Sequence, residues 1–364
     1  MTNDTFVAGG LEAWGWDDRW AAEFAPLAGG GLWPARVTAQ HRGVWVVARE
    51  TGETTASPTG KLRRGADDGG YPTVGDWVVC LESPHGGVAA IQRTLPRRSA
   101  FRRKAAGSRP GAQTIAANVD TLFIATSLNQ DLSPRRLERY VTMARESGAE
   151  PVVILTKADL VEDAAERVVA LAAELRVSVV AISARSGSGL ESVARWFERG
   201  KTLALVGSSG VGKSTLLNRL AGEKLMETRE VRDDDGHGRH TTTHRELFLL
   251  ANGALVLDTP GMREFGVWDA EEGVHETFDE IVELALQCRF GNCSHQLEPG
   301  CAVRAAVDDG RLDVARFNSY IGLADESAQQ ASPAARRLQD KRVSKTVRKA
   351  SASAAERRAG REPE

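Results

Sequence analysis

The sequence predicts a multidomain chain: a small all-β barrel, then an α/β domain with a mainly parallel sheet, then a helical segment that carries a Cys/His cluster. Three patterns predict it. Across residues 32–98, short runs of β-branched and aromatic residues are punctuated by Gly and Pro, as in small barrels. From Asn118 onward, apolar β-rich runs alternate with amphipathic segments, which is how strands buried under covering helices read. After about Asp269 the pattern turns helical, and three of the four cysteines fall inside it with a histidine.

The totals are compatible with this. A chain of 364 residues exceeds one typical domain. Hydrophobic content of 41% and charged content of 26% are those of a globular protein. No uninterrupted apolar run reaches the roughly 18 residues of a membrane span, so a membrane role is not expected. The first 20 residues lack a basic stretch followed by an apolar core, so no signal peptide is expected. A cytoplasmic location with reduced thiols follows. The net charge of −2 conceals an asymmetry: residues 334–364 hold ten Arg/Lys against four Asp/Glu, a net +6 that leaves −8 for the rest. A basic tail on an acidic body suits an anionic partner such as nucleic acid.

Taken in order, residues 1–30 read as an N-terminal extension and residues 31–105 as the barrel. Its strands are sought in "ARVTAQHRGVWVVARE", "PTVGDWVVCLE" and "GGVAAIQRTL". Lys61, Arg63, Arg64, Arg93, Arg97, Arg98, Arg102, Arg103 and Lys104 cluster around it, a composition suited to RNA. The α/β domain, residues 106–275, has strands at "VDTLFIATS", "PVVILT", "VSVVAISA", "LALVG" and "ALVLD". Helices are expected at "SPRRLERYVTMARESG" and "EDAAERVVALAAELR". Residues 276–325 form the Cys/His domain, and residues 326–364 a basic tail that is helical or disordered.

The strongest motif is G-x-x-x-x-G-K-S in "LALVGSSGVGKSTLLNRLAG". A strand, a glycine-rich turn and a helix with Leu216, Leu217 and Leu220 on one face surround phosphate oxygens with backbone N–H groups. Gly207, Ser208, Ser209, Gly210, Val211, Gly212, Lys213, Ser214 and Thr215 are the candidate phosphate contacts. Lys213 would neutralise the β- and γ-phosphates, and the Ser214 hydroxyl would coordinate Mg²⁺.

"LFLLANGALVLDTPG" reads as a hairpin turning at Asn252-Gly253, and its second strand delivers Asp258 of D-T-P-G. Asp258 is placed to hold Mg²⁺, and Gly261 to offer its N–H to a γ-phosphate. The polar stretch "EVRDDDGHGRHTTTHREL" reads as a switch. One of Thr241, Thr242 and Thr243 would complete the Mg²⁺ shell; the pattern does not choose among them, and Thr242 stands as the candidate. Met262 occupies the place where many GTPases carry a water-orienting glutamine. His237, His240 and His244 lie near enough in sequence to take over, and His240 stands as the candidate. Met262 also leaves open a nucleotide-gated RNA-binding protein with little turnover, and the phosphate loop alone leaves open an ATP-using enzyme.

Upstream, Thr156-Lys157-Ala158-Asp159 follows a strand. An aspartate there accepts hydrogen bonds from guanine N1–H and the 2-amino group, a donor pair that adenine lacks. Ser183-Ala184-Arg185 follows the next strand and resembles the loop that contacts guanine O6. These base-reading loops precede the phosphate loop, the reverse of an ordinary GTPase. Because ligands bind at the carboxyl ends of strands whatever the chain order, this reads as a circular permutation.

Cys288, Cys293, His295 and Cys301 are spaced C-x4-C-x-H-x5-C. Three thiolates and an imidazole close a structural Zn²⁺ site with no open position. Cys80, in an apolar strand, reads as a core residue.

The order T-K-A-D, S-A-R, G-S-S-G-V-G-K-S-T, D-T-P-G, then C-x4-C-x-H-x5-C resembles the small ribosomal subunit biogenesis GTPases (the RsgA family). "PTVGDWV", "LPRRSAFRRK" and "AANVD" resemble that family's barrel and junction, and the likeness spans about residues 32–324. It implies an oligonucleotide-binding (OB) barrel, a circularly permuted GTPase domain and a zinc finger. It also implies late maturation of the small ribosomal subunit, with GTP hydrolysis stimulated by that subunit. Docking on the rRNA of that subunit, as a monomer, is the expectation that goes with it. Thr156 departs from the commoner asparagine, which bears on affinity rather than on base identity.

Overall fold

The computed structural model describes residues 10–330 apart from 42, 66–70, 84–85, 105–111, 129–131, 209, 222–244, 259–273, 275–276, 292 and 297. The chain divides into two compact units, Met1–Gly266 and Val267–Glu364.

In the first unit, β1 (Leu32–His41), β2 (Val44–Arg49), β3 (Gly52–Pro58), β4 (Trp77–Leu81) and β5 (Ala89–Thr94) form a five-stranded barrel. The ladder runs β1-β2-β3-β5-β4, and β4 pairs back onto β1 from Leu32↔Leu81 to Arg36↔Trp77, which leaves no open edge. Its pairs are antiparallel except β3 with β5. This is the OB arrangement. The ten-residue β1 pairs with β2, β4 and, beyond the barrel, β12, and its register with β2 shifts between Val37 and Ala39, a bulge that bends the strand. Trp45, Trp77 and Ile91 fill the interior; burying a side chain the size of Ile91 contributes about 1.5–3 kcal/mol.

The segment read as an N-terminal extension packs on this core through Leu11, Trp14 and Trp20. A 3₁₀ turn, Gly10–Trp14, precedes helix α1 (Asp18–Phe24), which Asp17 caps by accepting the Trp20 N–H. Trp14 and Trp20 are buried, and the Trp16 and Trp77 ring centroids lie 4.8 Å apart, edge to face. Three indoles within seven residues were the available sign that this stretch buries a face.

After a short helix α2 (Gly60–Gly65) and the hairpin β6 (Ala100–Lys104)–β7 (Ala112–Ala117), the α/β sheet begins. Its strands are β8 (Thr121–Ser127), β9 (Glu150–Thr156), β10 (Ser178–Ala181), β11 (Thr202–Val206), β12 (Arg245–Leu249) and β13 (Leu255–Asp258). They lie in the order β10-β9-β8-β11-β13-β12; the first five are parallel and β12 is antiparallel to β13. The Asn252-Gly253 turn joins β12 to β13 as expected, with Gly253 at φ +85°. The helices α3 (Pro134–Ser147), α4 (Ala164–Leu175), α5 (Leu190–Val193) and α6 (Lys213–Ala221) lie between strands in the chain. Leu137, Val141 and Ala144 of α3 are buried one helical turn apart. The barrel and the α/β sheet are continuous, because Ala39 and Gln40 of β1 pair with Glu246 and Arg245 of β12.

The second unit contains α7 (Asp279–Ala285), α8 (Ala302–Asp308) and α9 (Val314–Gln330). Phe278, Ile281, Val303, Ala306, Leu312 and Leu323 make its core. No helix among the described residues is long and apolar enough to cross a membrane.

Candidate functional site

The parallel strands β9, β10, β11 and β13 all end on one edge of the sheet, so the residues that follow them meet there although they are scattered along the chain. The phosphate loop leaves β11 at Gly207. Its φ is +139°, and a Cβ there would lie 2.1 Å from the Ala125 carbonyl oxygen, so the chain can turn only at a glycine. Gly210 and Gly212 also have positive φ, and Lys213 and Ser214 open α6, which points its free N–H groups at the loop. The Lys213 ammonium donates to the carbonyl oxygens of Gly207 at 2.8 Å and Ser208 at 2.5 Å. Val211 is buried, whereas Thr215 is exposed on the first turn of α6.

Thr156 ends β9 and is 2% exposed. Its hydroxyl donates to the Val211 carbonyl oxygen at 2.7 Å, inside the phosphate loop, with the Thr126 carbonyl oxygen at 3.3 Å. Lys157 takes a left-handed conformation at φ +58°, which turns the chain so that Ala158 and Asp159 begin a 3₁₀ turn. The Ala158 N–H donates to the Ile182 carbonyl oxygen at 3.1 Å, which joins this loop to the one after β10. There, Ser183 is buried and its hydroxyl hydrogen-bonds the Asp159 carboxylate. That bond first, with the Arg185 charge assisting, holds the Asp159 carboxyl below its ordinary pKa, so it stays ionised at neutral pH. Arg219 of α6 donates to the Arg185 carbonyl oxygen at 3.4 Å, and Ala184 lies between Ser183 and Arg185. The loops read as guanine and phosphate contacts are thus brought into one network. Its key bond, Thr156 to Val211, spans 55 residues and carried no local sequence signal.

β13 brings Asp258, the expected Mg²⁺ ligand, to the same edge, opposite Glu246 of β12. Its side chain lies outside the described residues, as do Ser209, Gly261 and Met262, and the switch candidates Thr241, Thr242, Thr243, His237, His240 and His244.

In the second unit, the ligand atoms of Cys288, Cys293, His295 and Cys301 all lie within 4.8 Å of one another. The His295 Nδ1 is 3.6 Å from the Cys288 sulfur and 3.4 Å from the Cys301 sulfur, and those two sulfurs are 3.9 Å apart. A tetrahedral ion with metal–sulfur bonds near 2.3 Å requires ligand separations of about 3.5–3.8 Å. The residues fit a four-coordinate ion and are not disulfide-bonded. His295 reaches the centre from a left-handed backbone at φ +61°, and burial lowers its pKa, which favours the neutral, ligating imidazole. Cys301 also caps α8, its sulfur accepting the Arg304 N–H at 3.4 Å.

The family model described as RsgA GTPase matches residues 94–268. A small ribosomal subunit biogenesis GTPase RsgA from Opitutus terrae is 47% identical over 332 residues, covering 88% of this chain and 90% of that protein. The chain belongs to the RsgA GTPase family. Among solved structures, YjeQ from Thermotoga maritima aligns with TM-score 0.59 and 26% identity, over 80% of this chain and 97% of its own. YloQ, described as a circularly permuted GTPase, aligns with TM-score 0.58 and 24% identity over 83% and 96%, and shares the fold. An ABC transporter model also matches residues 190–347, a stretch that contains the phosphate loop. That model does not reach residues 156–159 and 183–185. The chain has the order expected of a circular permutation: β9 and β10, whose following loops were read as guanine contacts, come before β11, which leads into G-x-x-x-x-G-K-S.

Proposed function

We propose that this chain binds the small ribosomal subunit through rRNA and hydrolyses GTP to GDP and phosphate late in the maturation of that subunit. The observation that supports it best is the convergence of Thr156–Asp159, Ser183–Arg185 and Gly207–Thr215 on one sheet edge, tied by the Thr156–Val211 bond. Asp159 reads guanine as an ionised acceptor. The loop N–H groups and Lys213 hold the phosphates, and Ser214 with Asp258 would hold Mg²⁺. When bound, that ion supplies charge stabilisation for the phosphoryl group in transfer. Gly261 contacts the γ-phosphate, Thr242 closes the switch, and His240 orients the attacking water, because the Met262 thioether cannot.

Zinc held by Cys288, Cys293, His295 and Cys301 is structural. The basic residues on and beside the barrel meet rRNA, and the basic tail adds to that contact. The protein works as a monomer in the cytoplasm. The test is release of phosphate from GTP by the purified protein with and without small subunits. Stimulation by subunits is expected, and equal rates in both conditions would refute the ribosome-coupled reading.

A further inference from the structure

Arg36 lies on β1 of the barrel and is 2% exposed. Its guanidinium reaches four separate segments. One terminal nitrogen donates to the Trp14 carbonyl oxygen in the N-terminal segment, and Nε donates to Gly75 just before β4 at 3.4 Å. The other donates to the Asn118 carbonyl oxygen at 3.2 Å and to the Thr202 hydroxyl at 2.7 Å. None of these acceptors is a carboxylate, so the charge is balanced only at longer range, by Asp120 and Asp76. A planar fork with five donors can span such a set, whereas a lysine cannot.

Thr202 is the first residue of β11, and five residues later that strand ends in the phosphate loop. Thr202 is held further by Asp120: its N–H donates to the carboxylate at 2.8 Å, and its carbonyl accepts the Asp120 N–H at 2.8 Å. The guanidinium that fastens the barrel to its neighbours therefore also fixes the root of the phosphate strand. Further along β1, Ala39 and Gln40 pair with Glu246 and Arg245, beside Asp258 at the nucleotide edge. One barrel strand thus touches the nucleotide sheet at both ends of its strands.

We propose that Arg36 is a positioning residue that couples the barrel to the phosphate loop, so that nucleotide on the loop stiffens β1 and a ligand on the barrel changes nucleotide affinity. The coupling is reciprocal, because the two binding equilibria share one set of states. It rests on the reading that the phosphate loop takes GTP.

The experiment is amide hydrogen exchange on the full chain, with Mg²⁺ and with or without a non-hydrolysable GTP analogue. It compares the natural protein with Arg36→Met and Thr202→Val. Thr202→Val keeps the other three Arg36 bonds and the strand shape, so folding is not at stake there. The analogue is expected to slow exchange in the phosphate loop in all three proteins. In the natural protein it also slows β1 and residues 74–80 by about threefold or more. In both variants that barrel response disappears while the loop response stays. A barrel response that persists in the variants, or is missing from the natural protein, would overturn the coupling and leave Arg36 a structural clamp. A phosphate loop that the analogue does not slow would overturn the GTP reading and the coupling with it.

Discussion

Thr156 and Ser183 each place one hydroxyl where the geometry of the nucleotide site depends on it. The Thr156 hydroxyl has one proton to donate, and at 2.7 Å the Val211 carbonyl oxygen takes it. Threonine in place of the commoner asparagine therefore still ties the loop proposed to read the base to the phosphate loop. Thr156→Val keeps the shape and removes the tie, leaving a buried carbonyl short of a donor at a cost of about 1–2 kcal/mol. Titration with GDP is expected to show affinity about 5- to 30-fold weaker, with guanine preference unchanged. Ser183 holds the Asp159 carboxyl below its ordinary pKa. A depressed carboxyl stays ionised as pH falls until the lowered value is reached, so the guanine contact proposed for Asp159 is expected to persist into acid. In Ser183→Ala the pKa rises toward the usual carboxylate range, and the acid loss of GTP affinity is expected to begin at higher pH. A binding profile between pH 3 and 7 that does not move would refute that role. Neither bond was legible beforehand. Short motifs singled out Asp159, Lys213 and Ser214 as candidates, and their loops follow β9 and β11 at one edge of the sheet.

At the scale of elements, strands and helices followed from local pattern wherever one face is buried throughout. The fully buried β8 reads as a continuous apolar run, and α3 shows buried residues at helical spacing. The packing of the N-terminal segment was not legible, because its indoles are interspersed with acidic residues and show no period. Their burial against Trp77 is a long-range event. The cysteine-bearing loops have little regular structure to support them, since Cys288, Cys293 and His295 lie outside the described helices and Cys301 only caps one. Metal removal should therefore act there first. With a strong chelator, or in Cys301→Ser, the Val267–Glu364 unit is expected to lose its cooperative melt. Nucleotide binding by Met1–Gly266 should survive. An unchanged melt after verified metal loss would mean that the cluster does not support that fold.

For the whole molecule, the charge asymmetry predicts behaviour that no single contact does. If the barrel's basic residues and the tail meet rRNA phosphates, binding to small subunits releases counterions. Affinity is then expected to fall about 10³-fold or more between 50 and 200 mM salt for six or more such contacts. A flat salt response would remove them from the interface.

Composition and motif by themselves determined the broad domain order, the nucleotide chemistry, the Cys/His donor set and the family, because those properties reside in residue types at fixed short spacings. Only the tertiary structure decided which loops touch. It closed the barrel through β1 with β4, joined barrel to nucleotide sheet through β1 with β12, and buried Arg36 against a threonine 166 residues away. Strand pairing and burial depend on partners distant in the chain, and their energy is set by packing that no local window contains.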